Sequence, residues 1–252
     1  MPSRPLLWAA CLVFWAAAAP WVGAAAEPSP PQSVLWIGNS FTYYNGGVPK
    51  MVQALADARR PPAVAALRVG MLATGGAHLP DHVRRADLPA VLERGWDAVV
   101  VQGYSDEPVN PAKAPAFHKA LAALAARIKT SGARLLLFVT WAYKDQPAMT
   151  EALAAAYADA AQATGADAVP VGLAFAAARA ERPDLALYVT TDNKHPSLAG
   201  TYLAACTFYA YLSGRSPAEA RFYPKGLAEK DAVFLQRIAW ETVSALTARA
   251  QP

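Results

Sequence analysis

Cysteine is nearly absent, with only Cys11 and Cys206 in a chain of 252 residues. Histidine is also scarce, with four residues at positions 78, 82, 118 and 195. Charged residues make up 17%, and no basic run occurs anywhere. Each shortage excludes something. Two cysteines cannot supply a disulfide framework, so stability has to come from a buried core. A formal net charge of +4 without a basic cluster argues against a nucleic-acid-binding surface. What the chain has instead is apolar: 54% hydrophobic residues, much of it alanine, which suits packed helices and argues against global disorder.

Residues 1–26 differ from the rest. Arg4 is the only charge, and Pro5 to Ala26 is apolar or small throughout, ending in "VGAAAEPSP". A short basic start, an apolar stretch and small residues before a polar one describe a secretory signal peptide, with cleavage expected after Ala26. The run is long enough for a retained anchor, but Pro20 and the alanine-rich tail argue against one, so no stable membrane insertion is expected after cleavage. Cys11 sits too early for a lipoprotein site. Cleavage would lower the net charge to +3 and leave Cys206 alone, unable to form an internal disulfide. The expected location is periplasmic or secreted. Residues 27–32, "EPSPPQ", read as a linker, and 33–252 as one domain without internal repeats.

From residue 33 onward, strand and helix signals alternate. Strand-like runs cover Val34–Ile37, Ala66–Met71, Ala98–Gln102, Leu135–Thr140 and Ala168–Val171. Helical, alanine-rich segments cover about 48–60, 82–94, 114–131 and 150–164, and a last helix pair covers about 197–212 and 228–249. The strands are short and continuously apolar, as strands covered on both faces are. The order predicts an α/β fold with a parallel sheet of about five strands and helices on both sides. In such a sheet, ligands bind beyond the carboxyl ends of the strands. Gly38-Asn39-Ser40, Gln102-Gly103 and Trp141 all fall at such ends.

Ser40 therefore stands where a nucleophile would be presented. A serine hydroxyl needs a base, and the base needs a third group to orient it. His195 lies in "TTDNKHPSLAG", with Asp192 three residues before it. A tight turn can bring that carboxylate to the imidazole. Pro196 restricts His195 to extended backbone, and Ser197 suits the N-cap of the next helix. An ordinary loop with a turn-forming Asp-Asn pair is the other reading of this segment. His78 and His82, at i and i+4 with Pro80 between them, read as a loop entering a helix rather than as a metal pair. His118 reads as a surface residue of its helix.

Taken in order, "IGNSF", "TGGAHL", a polar third strand end and D-x-x-H-P-S resemble the SGNH/GDSL hydrolase superfamily over roughly residues 33–215. The resemblance implies a three-layer α/β/α flavodoxin-like sandwich and a serine esterase mechanism with neither metal nor cofactor. It makes Ser40 the nucleophile, His195 the base and Asp192 its orienter. It also implies an oxyanion hole from the Ser40 N–H, a glycine N–H and an amide side chain. The glycine maps to Gly76, with Gly75 as the neighbouring possibility. The sequence departs from the family pattern twice: G-N-S replaces G-D-S, and "QGYSD" replaces G-x-N-D. Direct alignment puts Ser105 at the missing asparagine. Gln102 is favoured, because it is the nearby amide and its longer side chain can reach.

Asn39, Phe41 and Trp141 are expected to bind substrate, within a wider set of aromatics that includes Tyr43, Tyr44, Tyr104 and Tyr143. Aromatic faces suit sugar rings or acyl chains; edge packing is the alternative. The expected substrate is a small-molecule or carbohydrate ester, and the expected activity is hydrolysis of O-acyl groups. Acyl transfer by the same acyl-enzyme, or carbohydrate binding without catalysis, are the alternatives.

Overall fold

The structure is a computed structural model and describes residues 30–59 and 66–250. The expected signal peptide and the first half of the linker, residues 27–29, lie outside the described residues. Five strands form one parallel sheet: β1 (Ser33–Gly38), β2 (Arg68–Ala73), β3 (Ala98–Val101), β4 (Arg134–Phe138) and β5 (Asp167–Val169). Their order is β2-β1-β3-β4-β5, the doubly wound, flavodoxin-like arrangement. In register, Ile37 lies beside Leu72 on one side and Val101 on the other. Every residue of β1 is buried, because the sheet is covered on both faces and β1 has a neighbour at each edge.

Alternation along β1 divides the core in two. Val34 and Trp36 point into one apolar cluster, and Leu35 and Ile37 into the other. Each fully buried large side chain contributes roughly 1.5–3 kcal/mol by leaving water. The helices that supply the partners are α1 (Ser40–Tyr43), α2 (Val48–Arg59), α3 (Leu79–Val83), α4 (Leu88–Leu92), α5 (Ala114–Thr130), α6 (Met149–Thr164), α7 (Val171–Glu181), α8 (Leu198–Ser213) and α9 (Glu229–Ala250). Val52 and Leu55 of α2, with Tyr202 and Phe208 of α8, share the Trp36 cluster. Phe117, Leu121 and Leu124 of α5 share the Ile37 cluster.

Helix α8 is apolar on every side, and from Ala199 to Ala210 every residue is buried. A helix of that kind must be covered all round. Helix α9 supplies the outer cover with Ala232, Leu235, Ile238 and Ala239. Gln236 of α9 donates to the Tyr202 hydroxyl of α8 at 2.8 Å.

Two expectations about elements change. The segment 82–94 is not one helix but two short ones, α3 and α4, each with proline in its first turn, at Pro80 and Pro89. Proline lacks an N–H and clashes with the preceding turn, so it starts helices rather than continuing them. The fifth strand ends at Val169, and Pro170 caps α7, a helix that the sequence reading leaves out. Among the described residues no helix is long and apolar enough to cross a membrane.

Candidate active site

The order β2-β1-β3 places the carboxyl ends of β1 and β3 at the switch point of the sheet, where ligands bind in folds of this type. Gly38 ends β1, and a Cβ there would lie 2.5 Å from Thr42 Oγ1 and 2.6 Å from Gln102 Oε1. Only glycine fits this approach. The chain then turns into α1, whose first residue is Ser40 and whose N-cap is Asn39. Asn39 Oδ1 accepts from the Phe41 N–H (3.2 Å) and from Gln102 Nε2 (3.0 Å). Asn39 Nδ2 donates to the Ala77 carbonyl at 3.0 Å. Gln102 Oε1 accepts from the Asn39 N–H (3.0 Å) and the Thr42 hydroxyl (2.9 Å). These buried bonds hold the turn that presents Ser40 at the end of the strand.

Ser40 Oγ lies 2.9 Å from His195 Nε2, and His195 Nδ1 lies 2.7 Å from Asp192 Oδ2. An ionised carboxylate only accepts, so Nδ1 carries the hydrogen and Nε2 keeps a lone pair toward the serine. Asp192 Oδ1 also accepts the N–H groups of Lys194 (2.9 Å) and His195 (2.7 Å). Desolvation acts to raise the Asp192 pKa, but these hydrogen bonds prevail and hold it at about 2. Tyr44 stacks on the imidazole with ring centres 4.5 Å apart, and Phe41 meets its edge at 5.8 Å. The segment is anchored beyond the ring as well. The His195 carbonyl accepts from the Val189 N–H at 3.0 Å, and Ser197 caps α8 by accepting from the Gly200 N–H at 3.2 Å.

The loop after β2 holds the expected glycines. Gly76 is exposed and has φ +70°, a conformation that glycine takes without strain. Among the described residues the N–H groups of Ser40, Gly75 and Gly76 make no hydrogen bond, so they are free to serve an anion.

Four of the expected roles need correction. Gln102 does not offer an amide to the site. It is 1% exposed, and its Nε2 donates to Asn39 Oδ1 and to the Gly103 carbonyl, which uses both hydrogens. Asn39 is 2% exposed and braces the serine turn instead of facing substrate. Phe41 and Trp141 are buried as well. Trp141 is stacked between Phe41 (4.3 Å) and Phe175 (4.2 Å), with near-parallel rings, and its Nε1 donates to the Lys194 carbonyl at 2.9 Å. Trp141 has no face left for a ligand, and Phe41 is held in the core beside it. Ser105, the alternative third donor, is buried with its Oγ 2.8 Å from the Tyr143 hydroxyl.

A protein from Slackia heliotrinireducens described as an SGNH hydrolase is 30% identical to this chain, covers 69% of it and is itself covered over 94%, with a TM-score of 0.56. The chain belongs to the SGNH/GDSL hydrolase superfamily. Two more distant structures share the fold. A DUF4886 family protein from Bacteroides uniformis is 22% identical, with 84% of this chain and 94% of that one covered and a TM-score of 0.65. A Geobacillus acetyl-xylooligosaccharide esterase is 18% identical, with 74% and 96% covered and a TM-score of 0.57. Scans against protein-family models and curated proteins found no match.

Within this SGNH hydrolase, the structure brings in residues that the sequence left aside. Glu107 is 1% exposed and accepts from the Tyr104 N–H (2.7 Å), with His78 Nδ1 at 3.0 Å. His78 in turn stacks on Tyr104, with ring centres 4.3 Å apart. This group ties the glycine loop to the loop after β3. No local motif marks it, since His78 and Glu107 are 29 residues apart.

His82 is 1% exposed, and neither ring nitrogen has a hydrogen-bond partner. Burial lowers its pKa below the usual histidine value, although the Gly38 backbone beside it acts the other way. The unfolded chain therefore binds a proton at this site before the folded one does. The contribution of this site to stability is full above about pH 6.5 and is lost as pH falls below it. The thermal midpoint is expected to drop between neutral pH and about pH 5.5, and to drop less in His82→Leu. Equal drops in the two proteins would show that His82 is not the group responsible.

Proposed function

We propose that this SGNH hydrolase is an exported serine ester hydrolase acting on O-acyl groups of a carbohydrate or other small molecule. The observation that carries the reading is the continuous contact Asp192–His195–Ser40, at 2.7 and 2.9 Å, with the Ser40 main-chain N–H left without another partner among the described residues. Ser40 Oγ attacks the ester carbonyl while His195 Nε2 takes its proton. Asp192 stabilises the imidazolium that forms. The carbonyl oxygen becomes an oxyanion held by the N–H groups of Ser40 and Gly76. Collapse expels the alcohol, which takes the proton from His195 and leaves an acyl-Ser40 ester. Water, deprotonated by the same imidazole, then releases the acid and regenerates the serine.

The test is a screen of purified protein on 4-nitrophenyl esters of increasing acyl length and on acetylated sugars. Release of nitrophenol with saturation kinetics is expected for at least the short acyl chains, and inactivity on every ester would sink the reading. The export reading rests on residues 1–26. Protein recovered from the periplasm or medium should begin near Glu27, and an intact N-terminus in the membrane fraction would overturn it.

A further inference from the structure

Lys194 immediately precedes His195, and its main chain is fixed on both sides. Its N–H donates to Asp192 Oδ1 at 2.9 Å, and its carbonyl accepts from Trp141 Nε1 at 2.9 Å. The half-buried side chain brings Nζ to 3.4 Å from the Tyr104 hydroxyl and 5.6 Å from the centre of that ring. Among the described residues Nζ makes no ion pair with a carboxylate.

The other lysine beside Tyr104 is neutralised. Lys113 Nζ lies 4.8 Å from the ring centre and holds both oxygens of Asp106, at 2.8 and 2.9 Å. The His78 imidazole stacks on the ring face, with its Nδ1 3.0 Å from Glu107 Oε1. Asp192 is the acidic group nearest Lys194 in the chain, and its oxygens already take three hydrogen bonds from the main chain and imidazole of the same turn. An ammonium partly withdrawn from water, on the residue before His195 and without an ion-paired carboxylate, gains from an incoming anion. The Tyr104 hydroxyl accepts from Nζ, so its own hydrogen is free to donate to that anion. On the reading of Ser40 as nucleophile, His195 Nε2 hands its proton to the departing alcohol, and Lys194 is the neighbour of His195 in the same turn.

We propose, on the reading of Ser40 as nucleophile, that Lys194 Nζ and the Tyr104 hydroxyl form a subsite for a carboxylate on the alcohol part of the ester. The substrate class is then an O-acylated hydroxy acid or acidic sugar.

The probes are 4-acetoxybenzoate and its uncharged methyl ester. The readout is the ratio of kcat/KM for the anion to that for the neutral ester, in which a general loss of activity cancels. Lys194→Met should lower this ratio about tenfold, the effect of losing one charge-assisted hydrogen bond, and Lys194→Arg should restore most of it. Calorimetric binding of the two probes to Ser40→Ala, with and without Lys194→Met, reads the same preference without turnover. A ratio unchanged by Lys194→Met, or equal losses for both esters in kinetics and binding, overturns the subsite. If the anion binds better through Lys194 but neither ester is cleaved, the subsite stands and the esterase reading fails.

Discussion

Ser40→Ala should abolish turnover, with a loss in kcat on the order of 10⁶ on any ester the protein cleaves. It should also abolish labelling by a fluorophosphonate probe, which needs the same activated oxygen. The size of the expected loss follows from the 2.9 Å contact to His195 Nε2. Removing the oxygen removes the bond-forming atom and leaves the imidazole with nothing to deprotonate. The fold should not suffer. Ser40 Oγ has no other hydrogen bond among the described residues, and its side chain only edges into the site, so circular dichroism and the thermal midpoint should stay near those of the parent. Chelators should have no effect on the parent. Turnover that survives in Ser40→Ala, or that a chelator removes, would overturn the mechanism.

Gln102→Ala should cost stability and activity together. Gln102 accepts from two buried donors, the Asn39 N–H and the Thr42 hydroxyl, and donates to the buried Asn39 carboxamide. Alanine leaves both donors without a partner and takes one of its two bonds from Asn39 Oδ1, and each orphaned buried group costs about 1–3 kcal/mol. For a chain of this size about 3 kcal/mol corresponds to a fall of roughly 6–12 °C in the thermal midpoint. Asn39 is also the N-cap that sets the Ser40 turn, so kcat should fall in the same variant. The informative outcome is the pairing. A direct oxyanion donor would lose about 10²–10³ in kcat with its thermal midpoint unchanged. That result would mean the Gln102 amide does reach the substrate and that clamping the serine turn is not its function.

Much of the site is legible in the sequence, because strand ends and short-range spacing are local. Val34–Ile37 marks a buried strand, and its end marks the level at which Ser40 stands. Asp192 and His195 are close enough in sequence for one turn to join them, with Pro196 and Ser197 setting the chain beyond. Which way a side chain faces within a tight turn is not local. Ser40 and Phe41 are neighbours, but in the single turn of α1 one faces His195 and the other enters the stack with Trp141 and Phe175. The same limit applies to Gln102. Its place at a strand end is readable, yet its partner is Asn39, 63 residues away, and that pairing exists only once β1 and β3 lie side by side. Segment 82–94 has helical composition, and the break comes from Pro89 at a helix start. Helix α7 follows its strand with only Pro170 between them, which blurs the boundary.

The cover that α9 provides for α8 bears on when this molecule becomes competent during its own synthesis. Chains emerge with their N-terminal parts first, so β1 and Ser40 are made early. The His195 segment leads directly into α8, and α8 lacks its outer cover until Glu229–Ala250 has been made. On the reading of Ser40 as nucleophile, the serine is made well before the segment that holds its base is covered. On that reading, a nascent chain carries a chemically ordinary serine until α9 closes over the helix that anchors the histidine.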